Sequence, residues 1–565
     1  MHSNTSRRTF VKGLAAGGLL GGLGLWRTPV WAVTSPGEPQ VLAGTDFDLF
    51  IGETPVNITG NPRTAMTING GIPGPLLRWR EGDTVTLRVK NTLNANTSIH
   101  WHGILLPANM DGVPGLSFHG IEPDGMYVYQ FKVRQNGTYW YHSHSGFQEQ
   151  SGVYGPLVID AKEPEPFQYD RDYVVMLTDW TDEDPISLMK TLKKQSDYYN
   201  YNKPTVGDFI HDVSEKGWGS TVADRKMWAE MRMNPTDLAD VSGATYTYLM
   251  NGLAPNSNWT GVFRPGEKLR LRFINGSAMT YFDVRIPGLK MTVVAADGLH
   301  VKPVSVDEFR IAVAETFDVI VEPTEAAYTL FAQSMDRTGF ARGTLAAKAG
   351  LSAPVPPLDP RPLVTMDDMG MGGMDHGSMA GMDHSTMAMP GMQSHPETEK
   401  DNPLVDMQAM TTAPKLDDPG LGLRNNGRRV LTYSDLRSTF EDPDGRDPSR
   451  TIELHLTGHM EKFAWSFNGV KFSDAEPVRL KYGERVRVVL VNDTMMTHPI
   501  HLHGMWSDLE DENGEFMVRK HTIDMPPGSR RSYRVTADAL GRWAYHCHLL
   551  YHMEMGMFRE VRVEE

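Results

Sequence analysis

Ten of the chain's 20 histidines fall in four short motifs, and the single cysteine lies inside one of them. The motifs are His100-Trp101-His102, His142-Ser143-His144, His498-Pro499-Ile500-His501-Leu502-His503, and His546-Cys547-His548 followed by His552 and Met557. Satisfied core histidines would explain one such pair but not four, so the motifs read as metal ligands. Successive side chains on a strand point to opposite faces, so each His-x-His pair turns both imidazoles to one side. In His546-Cys547-His548 the imidazoles then face one way and the sulfur the other. One strand would serve two metal centres joined by a short covalent path, which is a route for electrons. On the sulfur side, His498 and His552 are available, with Met557 as a weak axial ligand. Two histidines, one cysteine and a long methionine bond make a blue-copper site. Zinc favours four strong ligands, commonly with more thiolates. Eight histidines remain for the other face, too many for one ion. Imidazole-only ligation of several ions with open positions suits dioxygen chemistry.

The motifs come from the two ends of the chain, so a cluster needs those ends in contact. A recurring pattern suggests how. EGDTVTLRVKN (81–91), GEKLRLRFIN (266–275) and GERVRVVLVN (483–492) each pair a Gly/acid turn with an alternating strand, and each follows an Asn-Gly turn upstream. GTYWYHSH (137–144) echoes GRWAYHCH (541–548). The expectation is an all-β chain of three sandwiches in series, at 45–162, 163–350 and 426–565. The middle one carries no ligand motif: GSAMTYFDVRIPG follows Asn275 where the last has HPIHLHG. It reads as a spacer that keeps the ends in register. A mostly polar excursion at 183–241 includes ADRKMWAEMRM (223–233), read as a helix packed on the sandwich, with Met227 and Met231 one turn apart. Residues 351–425, rich in Pro, Gly, Met and Asp, read as a flexible linker.

Residues 1–32 read as an address. Ser6-Arg7-Arg8-Thr9-Phe10 is a twin-arginine pattern, an apolar run follows, and Val30-Trp31-Ala32 suits cleavage after Ala32. The expected destination is the periplasm, with the membrane serving only as the export route. A lone cysteine in an oxidising compartment makes no disulfide within the chain, which leaves Cys547 free for metal chemistry. A net charge of −15 argues against nucleic acid as a partner.

The motifs HWHG, HSH, HPxHLHG and HCHxxxHxxxxM, in this order, resemble those of the multicopper oxidases. With the leader, the helical excursion and the Met-rich linker, the chain is most similar to the bacterial copper-resistance protein A branch. The resemblance implies three cupredoxin-like Greek-key β-sandwich domains and four copper ions. Type 1 copper would take His498, Cys547, His552 and Met557. Type 2 would take His100 and His501. The type 3 pair would take His102, His142, His144, His503, His546 and His548. Electrons would enter at type 1, cross the Cys–His bonds and reduce dioxygen to water. Asp111, after the first pair, matches a carboxylate used near the cluster. Leu550 and Met553 stand where other members place an acid, which leaves a second proton donor unassigned.

The donor is read from methionines. Residues 366–392 hold nine: Met366, Met369, Met371, Met374, Met379, Met382, Met387, Met389 and Met392, interleaved with His376 and His384. Thioethers are soft ligands that select Cu(I), so the stretch is expected to collect it. Met496, with Asp493 nearby, matches the neighbourhood where copper-tolerance members hold a cuprous substrate ion. The acidic stretch 507–515 reads as a solvated loop that could also attract cations. A periplasmic cuprous oxidase is the leading expectation, with periplasmic copper-handling proteins as partners. A laccase-like phenol oxidase, a ferroxidase and a non-enzymatic copper-sequestering protein are the alternatives.

Overall fold

A computed structural model describes residues 39–372 and 392–565. Its strands form six sheets that stack into three sandwiches. The first uses strands between Val41 and Asp160, the second between Arg171 and Ala346, and the third between Thr451 and Glu564. Sheet neighbours are often non-consecutive in the chain, as where Arg485–Asn492 lies between Thr451–His459 and Arg530–Thr536. Such crossovers let consecutive strands alternate between two faces around one core. The fold is mostly β, with three cupredoxin-like domains.

The three look-alike strands hold equivalent places. Thr84–Asn91, Leu269–Asn275 and Arg485–Asn492 each pair in parallel with the first long strand of their sandwich. Their alternating apolar residues (Val85, Leu87 and Val89 in the first) are fully buried. The excursion at 183–241 folds into helices Pro185–Lys194, Val206–Lys216 and Trp218–Met231. Trp228 is buried, and Met227 and Met231 lean on the core as expected.

Two sequence expectations need correction. The described parts of 351–425 carry no named strand, but they are packed rather than solvated. Val364, Met369, Met407, Ala409 and Leu416 are buried, and residues 370 and 410–411 bond through the backbone. Apolar residues spaced without period still bury once the chain lies in a groove between sandwiches. Nor does the stretch after 426 begin inside the third sandwich. Arg429, Leu431, Arg437 and Thr439 exchange backbone hydrogen bonds with residues 300–308, along the edge of the second.

Candidate metal centres

Strand parity builds the first centre. In His100–His102, Trp101 turns into the core against Trp79, Tyr129 and Tyr141, which sends both imidazoles to the other face. The partner strand Gly137–His142 sets His142 directly opposite His100. In the third sandwich His501 faces His546 across the sheet, while Ile500 faces Cys547. His498 lies two residues from Ile500 and so shares the sulfur's face. One strand pair thus feeds two centres.

The eight remaining histidines meet between the first and third sandwiches. His100 stacks on His503 with ring centroids 3.9 Å apart, and His102 on His501 at 3.8 Å. His144, His503 and His546 bring one ring nitrogen each within 4.8 Å of the others. His142 lies 4.9 Å from His548 between centroids, and His102 also 4.9 Å from it. Burial, followed by the neighbouring imidazoles, lowers the pKa of His102, His142, His144, His501, His503 and His548 well below the usual value. His546 falls to about 3. Neutral imidazoles are the form that binds metal.

Several of these rings have an outward nitrogen that is held and an inward one that is not, whereas both nitrogens of His548 are buried without a hydrogen-bond partner. His100 donates from Nδ1 to the Asp111 carbonyl at 2.8 Å, and His503 Nδ1 to Asp111 Oδ2 at 2.8 Å. His501 Nδ1 donates to the His521 carbonyl at 2.6 Å, and His142 Nδ1 to Glu149 Oε2 at 2.6 Å. The inward Nε2 atoms of His100, His142, His144 and His501, and Nδ1 of His102, are buried without partners. Such orphans are costly unless something binds them. A converging set of neutral nitrogen donors fits metal ions. Gly112 tightens the arrangement. Its φ is +79°, and a Cβ there would stand 1.8 Å from the Ile99 carbonyl oxygen, so only glycine lets Asp111 sit against His100.

The second centre is on the sulfur side. Cys547 Sγ lies 3.5 Å from His498 Nδ1 and 3.9 Å from His552 Nδ1, and these nitrogens are 3.2 Å apart. Met557 is fully buried, and its carbonyl accepts from the Cys547 N–H at 3.1 Å. Burial pushes the Cys547 thiol well above its ordinary pKa, so a cation must replace the proton. The outward nitrogens are again held. His498 Nε2 meets Thr494 Oγ1 at 2.8 Å, and His552 Nε2 donates to Asp240 Oδ2 at 2.7 Å. Trp465 stacks on His552 at 3.9 Å.

Sequence reasoning missed Asp240, Glu149 and His521. Asp240 ends the helical excursion 312 positions before His552, and no local pattern joins them. His521 Nδ1 lies 3.2 Å from His102 Nε2, although His521 stands outside every His-x-His pair.

Asp493 and Met496 do not face one another as a pair. Asp493 meets His395 and His455, whereas Met496 lines a small cavity with Asp240, Met279 and Leu549. Of the methionines expected to collect Cu(I), Met369 is fully buried and Met366 and Met371 rest on the core, so the flexible-linker reading does not hold for these. Met392 is 42% exposed. Met374, His376, Met379, Met382, His384, Met387 and Met389 lie outside the described residues. The 507–515 stretch is not a solvated loop throughout: Ser507–Glu510 is a buried strand, with Asp508 paired to Arg519 and Glu510 to Arg487 and Arg534.

Multicopper oxidase family models match residues 51–164, 171–349 and 445–565. The chain belongs to the multicopper oxidase family. It is 80% identical, over the whole of both chains, to a Pseudomonas syringae pv. tomato copper resistance protein A homolog. It is 73% identical, over 99% of both, to copper resistance protein A of Escherichia coli. These place it with the copper-resistance protein A branch. Among solved structures, the multicopper oxidase Fet3p superposes with a TM-score of 0.65 at 19% identity, covering 93% of this chain and 91% of that one. A Botrytis aclada laccase does so with 0.61 at 21%, covering 95% and 90%. The protein is therefore an oxidoreductase with copper cofactors, acting on dioxygen and a reducing or copper substrate. Among the described residues, no helix is long and apolar enough to cross a membrane.

Proposed function

We propose that this multicopper oxidase couples one-electron oxidation of Cu(I) to reduction of dioxygen to water, as a periplasmic copper-detoxifying enzyme exported by its twin-arginine leader. The domain bodies would be those expected at 45–162 and 163–350, with the third carried by the strands between Thr451 and Glu564. Type 1 copper would be held by His498, Cys547, His552 and Met557. Type 2 would be held by His100 and His501. One type 3 ion would be held by His144, His503 and His546, and the other by His102, His142 and His548. Bound copper supplies the one-electron steps and the charge stabilisation that oxygen reduction needs.

The chain's own residues do the rest. Cys547 and its flanking histidines give the two centres a covalent link through three consecutive residues. Asp111 holds His100 through its backbone carbonyl and His503 through its carboxylate, so one residue fixes proposed ligands from both ends of the chain. The hydrogen bonds to the outward nitrogens of His100, His142, His501 and His503 favour the tautomer whose lone pair points inward. Burial of the histidine cluster excludes bulk water from it.

The observation that most favours a metal-ion donor is closure of the sulfur-side centre. His498 and His552 are both fully buried, and their outer nitrogens are capped by Thr494 and Asp240. A phenol ring has no exposed imidazole edge there to contact. The names of the relatives and the Met- and His-bearing stretch around 374–391 support the same reading.

The test is oxygen uptake by the copper-loaded protein supplied with Cu(I). Because Met369 is core, the deletion is confined to 374–391. Cys547→Ser should abolish uptake, and the deletion should slow Cu(I) oxidation while sparing a phenol. No uptake by the intact, loaded protein would overturn the reading.

A further inference from the structure

We propose that His395, Glu399, His455 and Asp493 form a further cation site, separate from both centres above and suited to a divalent first-row ion, divalent copper above all. His395 and Glu399 follow the Met/His stretch. His455 comes from strand Thr451–His459, and Asp493 from the turn after Arg485–Asn492.

Three of the four donor spacings approach those of a ligand cage, and the fourth, between Asp493 and His455, is a hydrogen bond that an ion would replace. Asp493 Oδ2 lies 2.6 Å from His455 Nδ1 and 3.2 Å from His395 Nδ1. Glu399 stands 3.4 Å from His395 Nδ1 and 3.7 Å from His455 Nδ1. Tetrahedral ligands at about 2.0 Å from an ion sit about 3.3 Å from one another. The same range separates His498 from His552 (3.2 Å) and His503 from His546 (3.1 Å).

The outward nitrogens repeat the pattern of the copper centres. His395 Nε2 meets the Ala409 carbonyl at 3.1 Å, and His455 Nε2 meets Glu453 Oε1 at 3.2 Å. With protons fixed there, both Nδ1 lone pairs face two carboxylates. Glu399 Oε1 is buried with no hydrogen-bond partner, although the residue is only 3% exposed. Glu399 Oε2 takes the Gln408 amide at 2.9 Å, and Asp493 Oδ1 the Ala409 N–H at 2.9 Å. Without a cation, protons fill the gap. Burial lowers the His395 pKa, but Asp493 and Glu399 outweigh it and hold it at about 10. A dication would displace those protons.

Imidazole with carboxylate is a borderline-to-hard set, which suits divalent copper rather than cuprous ion. His395 alone is partly open, which gives an entry path. A bound ion would clamp the segment after residue 392 onto the third sandwich. It would also stand beside Thr494, whose hydroxyl caps His498. The site does not depend on which donor the enzyme oxidises.

The test uses full-length protein with copper kept at the two centres and all other copper removed by a chelator, then supplied with Zn2+, which cannot be oxidised. Anomalous diffraction at the zinc edge should place one peak among the four side chains. Titration should give one more tight zinc per chain for the intact protein and the 374–391 deletion than for His395→Ala or Glu399→Gln. Loss of a supporting group already costs about 10–100-fold in affinity, so loss of a ligand should cost about 100-fold or more. Retained visible absorption from the sulfur-side copper controls for folding of the variants. Absence of the peak in zinc-soaked intact protein would overturn the proposal. So would equal zinc binding by folded His395→Ala. The four groups would then be an imidazolium–carboxylate ion-pair network only.

Discussion

Asp240 gives a sharp test of how the sulfur-side ligands are held. Its Oδ2 accepts from His552 Nε2 at 2.7 Å, and both residues are 1% exposed or less. Asp240→Ala leaves that N–H buried without an acceptor and frees the imidazole to rotate or change tautomer. Asp240→Asn keeps an acceptor but loses the charge. Outer-shell groups of this kind are worth about 10–100-fold in metal affinity, or about 1.4–2.7 kcal/mol. Asn should fall at the lower end and Ala at the upper. The assay is competition with a graded copper chelator, following the visible absorption of the cysteine-bound copper. Copper on the histidine cluster should be retained equally in both variants, since Asp240 contacts only His552 among the proposed ligands. If Asp240→Ala holds its sulfur-side copper within about twofold of the parent, the hydrogen bond does not orient the ligand and the reasoning fails.

Two further outcomes follow from the same geometry. Gly112→Ala forces a Cβ to 1.8 Å from a backbone oxygen at a φ of +79°, and should cost about 2 kcal/mol or more, read from chemical denaturation. Copper content of the histidine cluster should fall with it, because Asp111 moves. Glu165 is buried, which alone would raise its pKa, but His300 and the Arg270 guanidinium hold it down at about 2. A depressed carboxylate contributes stability above its unfolded value near 4.5, and loses it as pH falls towards 2. Denaturation midpoints should therefore show Glu165→Gln less stable at pH 5, with the gap closing by pH 2. A gap independent of pH would mean the ion pair is not the source.

The proposed ligands were legible because a strand's period of two is written in the sequence. His-x-His and His-Cys-His fix which side chains share a face before any contact is known. His498 and His501, three apart, had to part to opposite faces, and they do. What holds the ligands was not legible, because those partners arrive from elsewhere in the chain. Glu149 is seven residues from His142 but reaches it only through the loop after the strand. Asp493 looked like a partner for Met496 because they are close in sequence. In a turn, neighbours three apart have no fixed relation, and Asp493 swings to His395 and His455. The 351–425 segment failed for the opposite reason: composition signals disorder only when no neighbouring surface takes up its apolar residues.

The middle sandwich is where spacing alone explains too little. It carries none of the proposed copper ligands, yet its carboxylates reach both centres. Asp240 holds His552. Asp297 Oδ2 accepts the backbone N–H groups of His521 and Thr522, each at 3.1 Å, and ion-pairs with the buried Lys520 at 3.0 Å. That fixes the segment whose His521 carbonyl accepts the hydrogen bond from His501 Nδ1. Asp179 gathers the N–H groups of Ala278, Met279 and Thr280, and the Ala278 carbonyl in turn accepts from Leu550, two residues after His548. Asp240 stands directly behind a proposed ligand, and Asp297 and Asp179 stand behind the backbone that positions others. A passive spacer would need only apolar complementarity, and buried anions without such work would be a net cost. The middle sandwich therefore helps to orient the proposed ligands of both centres while supplying none of them.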